Sequence, residues 1–312
     1  MIPIIRKYFE SLRPKKLGLK DKIKVNSISK LGIGASNLNY LVKANNKKFI
    51  FRINMDKKEP KKSRNEYVAL KIIEKLNIAP KPYLYDDNHK DFENGFIIIQ
   101  YLEGKSLNRT KYALSPELIK ELARILSKLH NVNIIGKIRR LPVKMANYKD
   151  YLDYIDHELS YLRKHFQNKD LFQILHEKNQ EIKKQYSKHK SFRLILSQND
   201  FMEDNIIIEK NKFFLIDFED LCLSSREAEV AKILIDFGRE FNEKKMKLFL
   251  KEYFKINKVR NKEEFKKDVD SFKPLIVFSA LLWSISHIIR IKNHEFSKKF
   301  IENNDLNANI RH

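Results

Sequence analysis

The stretch LSQNDFMEDNIII at residues 196–208, followed by FFLIDFE at 213–219, decides the fold that we expect for this chain. Each segment holds a short apolar run typical of a strand, with an acid close to an end of that run. Asn205 lies five residues after Asp200. In phosphoryl transfer, one carboxylate orients the attacking hydroxyl and takes its proton, while an amide and a second carboxylate hold Mg²⁺ against the phosphates. The order Asp200, Asn205, Asp217 therefore indicates a phosphoryl-transfer site.

These two segments resemble the aminoglycoside phosphotransferase and choline/thiamine kinase family, whose loop reads approximately His-x-Asp-x-x-x-x-Asn and whose metal motif reads Ile-Asp-(Trp/Phe)-Glu. The resemblance implies Asp200 as the catalytic base, and Asn205 and Asp217 as Mg²⁺ ligands. The family histidine is Gln198 here, a change that concerns the packing of the loop more than the chemistry. Glu219 replaces the glycine of the protein-kinase motif and either neutralises a cationic substrate or steadies the metal loop. Taken singly, each residue would be an ordinary turn or strand-end residue, so the interpretation depends on their combination.

A glycine-containing turn lies near the start of the chain, between two strand-like runs. It includes Gly32, Gly34, Ser36 and Asn37. Glycine permits the positive φ angles and the close backbone approach that a phosphate-covering turn requires. By itself such a segment is a hairpin turn more often than a nucleotide loop. The Gly-x-x-Ser-Asn pattern that is common in the family fits Gly34, Ser36 and Asn37, and the resemblance implies a nucleotide-binding role for these three and for Gly32 of the same turn.

The segment FIFRI at 49–53 reads as a strand, and strand alternation places Ile50 and Arg52 on one face. An apolar residue for adenine and a cation for the phosphates would then lie side by side. Without the neighbouring motifs, Arg52 is equally well interpreted as a surface residue of an edge strand. Glu66 lies in a helix expected over 63–76 and resembles the glutamate that pairs with this cation in kinases.

A further strand is expected over 95–102, followed by a turn at Glu103 and Gly104. Its end resembles the hinge of the family, where backbone groups bind adenine. The resemblance therefore implies nucleotide-binding positions at Gln100 and Leu102.

The first third of the chain is rich in strands, and the remainder from about residue 102 is mainly helical. At 312 residues the chain exceeds the usual size of a single core. We therefore expect an α+β, two-lobed, protein-kinase-like fold. Residues 1–101 would form a small nucleotide-binding lobe with an antiparallel sheet and a helix, and residues 102–312 a larger, mainly helical, catalytic and substrate-binding lobe.

The formal net charge is +23, from 63 Lys and Arg against 40 Asp and Glu. Such an excess suits polyanions, but the basic runs are short and scattered, which is typical of solvated faces and argues against nucleic acid as a partner. The single cysteine, Cys222, excludes an internal disulfide and indicates a reducing compartment. No apolar run near residue 1 is long enough for a signal peptide. The uncharged run at 275–289 is shorter than the roughly 20 residues of a membrane span, so we expect a core helix and a cytoplasmic protein.

Together these features predict a small-molecule kinase that transfers the γ-phosphate of ATP, with Mg²⁺, to a hydroxyl of a metabolite. Choline, ethanolamine, thiamine, sugars and aminoglycosides all fit as acceptors. The first alternative, a protein Ser/Thr kinase, is disfavoured because no Ala-Pro-Glu motif follows Asp217. The second alternative, an inactive kinase-like module that binds RNA or a membrane, is disfavoured by the intact set of three chemical residues. The sequence predicts no oligomeric state.

Overall fold

The computed structural model describes residues 1–33, 37–55, 62–107, 115–134, 141–186, 190–210, 212–237 and 241–291. The chain forms two compact units. The first comprises Met1–Pro142, Ile195–Leu223 and Asp236–Arg260, and the second comprises Val143–Leu194, Ser224–Ile235 and Asn261–His312. The lobe boundary expected near residue 102 stays a prediction.

The strands of the described residues are β1 (Val25–Ile33), β2 (Asn37–Ala44), β3 (Lys47–Asn54), β4 (Pro82–Asp86), β5 (Phe96–Gln100), β6 (Lys105–Ser106), β7 (Leu194–Ser197), β8 (Ile206–Glu209), β9 (Lys212–Leu215) and β10 (Cys222–Ser225). The α-helices of the same residues are α1 (Ile2–Ser11), α2 (Lys62–Ile73), α3 (Pro116–His130), α4 (Tyr148–His165), α5 (Lys169–Gln185), α6 (Arg226–Asp236), α7 (Glu243–Ile256) and α8 (Lys262–Ile291).

The N-terminal part is an antiparallel sheet of five strands in the order β1-β2-β3-β5-β4. Its β3 strand alternates as expected, since Phe49 and Phe51 are fully buried in an aromatic core. Helix α1 covers this face, and the ring of Phe9 lies 6.0 Å from the rings of both phenylalanines. Each buried aromatic side chain contributes about 1.5–3 kcal/mol to stability. The opposite face of β3 carries Ile50 and Arg52, so the packing of α1 fixes which side of the sheet faces the site.

Elsewhere in the first unit, β6, β8 and β9 form a small antiparallel sheet below the end of β5. Helix α3 packs against α7. It begins as its sequence predicts, because the Ser115 side chain accepts a hydrogen bond from the backbone N–H of Leu118 and Pro116 occupies the first turn. The segment that holds Asp200 and Asn205 leads directly into β8 of this sheet.

The second unit is mainly helical in the residues that the structure describes. Helices α4 and α5 are separated at 166–168, where Asn168 caps the second of them. Helix α8 packs against α4, and the ring of Tyr148 lies 4.7 Å from that of Phe272.

One helix of the described residues, Lys262–Arg290, is long and apolar enough to cross a membrane by length and composition alone. A buried stripe including Phe272, Leu275 and Leu282 runs along it, and 44% of its most apolar window is buried. Core helices pass the same test, so this helix is weak support for a membrane span. Its packing on α4 agrees with the core helix expected from the sequence.

Candidate active site

The first unit contains a cavity of about 540 Å³, a size typical of sites for small ligands and cofactors. The cavity is lined by six of the residues that the sequence analysis assigned to the site: Ile50, Arg52, Glu66, Gln100, Leu102 and Asp217. These residues come from β3, α2, the end of β5 and the segment after β9. The structure thus brings together positions that lie up to 167 residues apart in the chain.

Arg52 is fixed at one end of this cavity by two hydrogen bonds. Its Nη1 donates to Oε1 of Glu66 over 2.6 Å, and its Nε donates to Oδ1 of Asn39, the cross-strand neighbour, over 3.0 Å. Both Arg52 and Glu66 are buried, with 8% and 2% exposure. Burial acts to lower the pKa of Arg52, but the charges of Glu66, Asp217 and Glu219 outweigh it and raise that pKa, so the guanidinium stays charged. Burial raises the pKa of Glu66, and Arg52 opposes that rise.

Because the pair is buried, removing one partner should destabilise the protein strongly. We expect Arg52→Met to lower the free energy of unfolding by roughly 3–5 kcal/mol, since it leaves a buried carboxylate without its cation. The double variant Arg52→Met/Glu66→Leu should recover most of this loss. Urea unfolding measures both. A single variant as stable as the wild type would contradict the pairing.

The loop between β7 and β8 brings Asp200 and Asn205 into direct contact. Nδ2 of Asn205 donates to Oδ2 of Asp200 over 2.6 Å and to the backbone oxygen of Asp200 over 3.0 Å. A left-handed residue at Asn199 (φ 64°) and a short 3₁₀ helix at Glu203–Asn205 produce this tight turn. Since the amide nitrogen is engaged with Asp200, the amide oxygen is the end of Asn205 that can serve as a cation ligand.

Gln198 connects this loop to the segment that carries Asp217. Its Nε2 donates to the backbone oxygens of Ile216 and Asp217 over 3.0 and 3.1 Å, and the side chain is fully buried. The backbone N–H of Ile216 also donates to the backbone oxygen of Asn205 over 2.9 Å. The exchange of the family histidine for glutamine therefore leaves the loop tied to the metal segment.

Asp217 has the character of a cation ligand. Its Oδ1 is buried and has no hydrogen-bond partner among the described residues. Burial raises its pKa to about 6; Arg52 opposes the rise, and the nearby charges of Glu66, Glu219 and Asp200 add to it. A buried carboxylate oxygen that faces other acids is stabilised by a hard cation.

The donor set fits Mg²⁺, which prefers oxygen ligands and is usually held by one or two carboxylates together with substrate phosphates. Asp217 and the amide oxygen of Asn205 supply such ligands. No group of three His, Cys, Asp or Glu side chains forms a ready metal cluster in the part of the chain that the structure describes. A metal here would thus depend on the nucleotide to complete its coordination.

The glycine turn is described at its two ends. Gly34 and Ser36 lie outside the described residues, and Gly32 lies in β1. Asn37 begins β2, and its Nδ2 donates to Oε2 of Glu219 over 3.3 Å. Of the two roles considered for Glu219, this contact favours that of steadying the metal loop.

The hinge that follows β5 is held against β8, and Gly104 makes this possible. A Cβ atom at Gly104 would lie 2.1 Å from the backbone oxygen of Ile208, so only glycine fits there. Next to it, β6 pairs with β8. Gln100, Tyr101 and Leu102, which precede this close approach, line the cavity.

We expect Gly104→Ala to weaken nucleotide binding and to destabilise the protein by about 1–3 kcal/mol, because the hinge must move away from β8. Gly95→Ala is a matched control, since its Cβ would meet atoms only at 3.5 Å or more. Thermal melting and nucleotide titration of both variants test this. Equal effects of the two substitutions would show that the close approach at Gly104 has no special importance.

Sequence reasoning missed most of the walls of the cavity: Leu70, Pro80, Ile99, Tyr101, Gly104, Lys105, Ser106, Asp204, Ile207 and Ile216. Strand alternation could have indicated Ile99 and Ile207 as inward-facing. That both residues line the same cavity could not be predicted, because it depends on how the strands pair in the folded chain.

The fold and the site define a class, that of kinase-like phosphotransferases. The family model described as "Phosphotransferase enzyme family" matches residues 27–263. The chain belongs to this family, and the prediction of an ATP-dependent phosphotransferase that acts on hydroxyl groups is confirmed at that level.

Solved structures confirm the predicted protein-kinase-like fold. The choline kinase of Cryptosporidium parvum Iowa II superposes with a TM-score of 0.65 at 18% identity, covering 91% of this chain and 89% of that one. Choline kinase LicA from Streptococcus pneumoniae gives 0.65 at 20% identity, covering 94% and 92%. The GDP and kanamycin complex of APH(2")-IIia gives 0.66 at 16% identity, covering 96% and 95%. No curated protein sequence matches this chain significantly.

Proposed function

We propose that the protein is a small-molecule kinase that transfers the γ-phosphate of ATP to a hydroxyl group of a metabolite, with Asp200 as the base. The observation that carries the proposal is the arrangement of Asp200, Asn205 and Asp217. A 2.6 Å hydrogen bond joins the first two, and Gln198 links their loop to the third. Of these three, Asp217 lines the cavity that also contains the buried arginine–glutamate pair, and the loop of Asp200 and Asn205 adjoins it through the Gln198 hydrogen bonds.

In this mechanism the purine ring of the nucleotide lies between the apolar side chains of the cavity, next to the hinge residues. Arg52, kept charged and oriented by Glu66, holds the phosphates. Asn205 and Asp217 would hold Mg²⁺, which when bound neutralises charge on the phosphates. Asn205 also fixes the carboxylate of Asp200 through Oδ2.

Asp200 orients the acceptor hydroxyl and accepts its proton. The acceptor oxygen forms a bond to the γ-phosphorus while the bond from that phosphorus to the ADP oxygen breaks. A positioned base of this kind typically contributes about 10²–10⁴-fold to the rate. The charge clamp and the correct alignment supply much of the remainder.

The acceptor is an alcohol of a class that includes choline, ethanolamine, thiamine, sugars and aminoglycosides. The solved structures of this fold include choline and ethanolamine kinases and complexes with kanamycin, spectinomycin and streptomycin. Both GDP and ATP complexes occur among them, so the nucleotide needs a direct comparison. We also infer a cytoplasmic protein from the single cysteine, Cys222.

The decisive experiment is a thermal-shift screen of the full chain against ATP, GTP and a panel of hydroxylated metabolites, with and without Mg²⁺. Any metabolite that raises the melting temperature together with nucleotide is then assayed for its phosphorylated product. We expect Mg²⁺-dependent stabilisation by a nucleoside triphosphate. A protein that neither binds nor consumes any nucleotide would refute the proposal and favour the alternative of an inactive module.

A further inference from the structure

Both oxygens of the Glu219 carboxylate are held by groups from the N-terminal part of the chain. Nζ of Lys62, the first residue of α2, lies 3.3 Å from Oε1, and Nδ2 of Asn37 donates to Oε2 over 3.3 Å. The side chains of Lys62 and Glu219 are each 16% exposed, so solvent screens this pair less than it screens a surface pair. The ammonium group of Lys62 and the amide of Asn37 thus each bind one oxygen of the same carboxylate. We call this pair of groups the Lys62–Asn37 bracket. A phosphate group can be bound in the same way.

This bracket lies at the phosphate end of the site. Glu219 is two residues beyond Asp217, and its charge acts on both Arg52 and Asp217. Asn37 stands where the glycine turn enters β2. The hinge residues, which would hold the base, lie at the far end of β5.

The balance of charge in the site leaves a need for a second cation. Arg52 is already paired with Glu66 at 2.6 Å, so much of its charge is neutralised before any nucleotide arrives. Asp200, Asp217 and Glu219 add negative charge nearby. A triphosphate brought into this region would be stabilised by a further cation close to its terminal phosphate.

We propose that Lys62 is a second phosphate-binding cation, which rests on Glu219 in the nucleotide-free protein and transfers to the terminal phosphate when the nucleotide binds. This inference depends on the proposed function and adds a residue that no sequence motif indicates. The ammonium group exchanges one anion for another, and no covalent bond changes. Because the terminal phosphate is absent from AMP, the role predicts a loss of affinity that grows with the number of phosphates.

The test is calorimetric titration of the full-length Lys62→Met variant with ATP, ADP and AMP in excess Mg²⁺. We expect ATP to bind about tenfold more weakly, ADP to be affected less and AMP to bind within about twofold of the wild type. Lys62→Arg should keep most of the affinity for ATP. Lys71→Met removes the same charge from an exposed position of the same helix, and it should leave all three affinities unchanged.

A second variant tests the exchange from the other side and does not depend on the folding of Lys62→Met. In the presence of a chelator, Glu219→Gln should bind ATP several-fold more tightly, because the competing carboxylate loses its charge. Unchanged or weaker binding of metal-free ATP by Glu219→Gln would overturn the inference. A second result would also overturn the inference: Lys62→Met melts at the temperature of the wild type, but its affinities for ATP, ADP and AMP fall equally or not at all. A wild-type protein that binds no nucleotide would overturn the proposed function as well, and that result separates the two failures.

Discussion

Asp200→Asn should lower turnover by about 10²–10⁴-fold while the affinity for nucleotide changes by less than about twofold. Asparagine has nearly the same shape as aspartate but cannot accept a proton from the acceptor hydroxyl. It can still accept a hydrogen bond from Asn205 through its amide oxygen, so the loop should keep its fold. Product formation with the acceptor found by screening measures turnover, and calorimetry measures nucleotide binding.

Glu203→Gln provides the matched control, because it removes the same charge from an acid of the same loop to which the mechanism gives no role. Its turnover should stay near that of the wild type. If Asp200→Asn keeps full turnover, Asp200 is not the base, although the nucleotide site could still be correct.

Asp217→Ala should remove most of the Mg²⁺-dependent part of nucleotide binding. We expect the affinity for Mg²⁺-nucleotide to fall by more than about tenfold. Mutation of a residue that only supports a metal ligand already weakens metal binding by about this much, and Asp217 would be a ligand itself. In a chelator, the same variant should bind nucleotide as well as the wild type or better, because a buried negative charge beside the phosphates is gone. Calorimetry with and without Mg²⁺ separates the two effects. Equal losses in both conditions would indicate a damaged fold rather than a lost ligand.

The same carboxylate makes the stability of the metal-free protein depend on pH. Because burial raises the pKa of Asp217 to about 6, the stability associated with its protonated form is present below pH 4 and is lost as the pH rises through about 6. Asp217→Asn removes this loss. We expect the variant to be more stable than the wild type by about 1–3 kcal/mol at pH 8 in a chelator, with little difference at pH 4. Urea unfolding at the two pH values checks the sign.

Local patterns could predict that parts of the candidate centre lie close together, because those parts are short segments with fixed spacing. A turn of five residues necessarily keeps Asp200 and Asn205 near each other, and alternation along β3 settled which face holds Arg52. The partners of Glu219 could not be predicted in this way, since they lie 182 and 157 residues away and meet only in the folded chain. The need for glycine at position 104 likewise depends on a strand about a hundred residues later.

The aromatic core beneath α1 has a practical consequence for work with this protein. Phe9 packs on Phe49 and Phe51, and the Tyr8 hydroxyl donates to Asp86 over 2.6 Å, so helix α1 completes the core on one face of the five-stranded sheet. Deletion of α1 would expose the phenylalanine side chains on this face of the sheet. Exposed apolar patches of this kind promote self-association. Met1 is 52% exposed, so we expect a purification tag at that end to disturb the fold less than removal of α1 would.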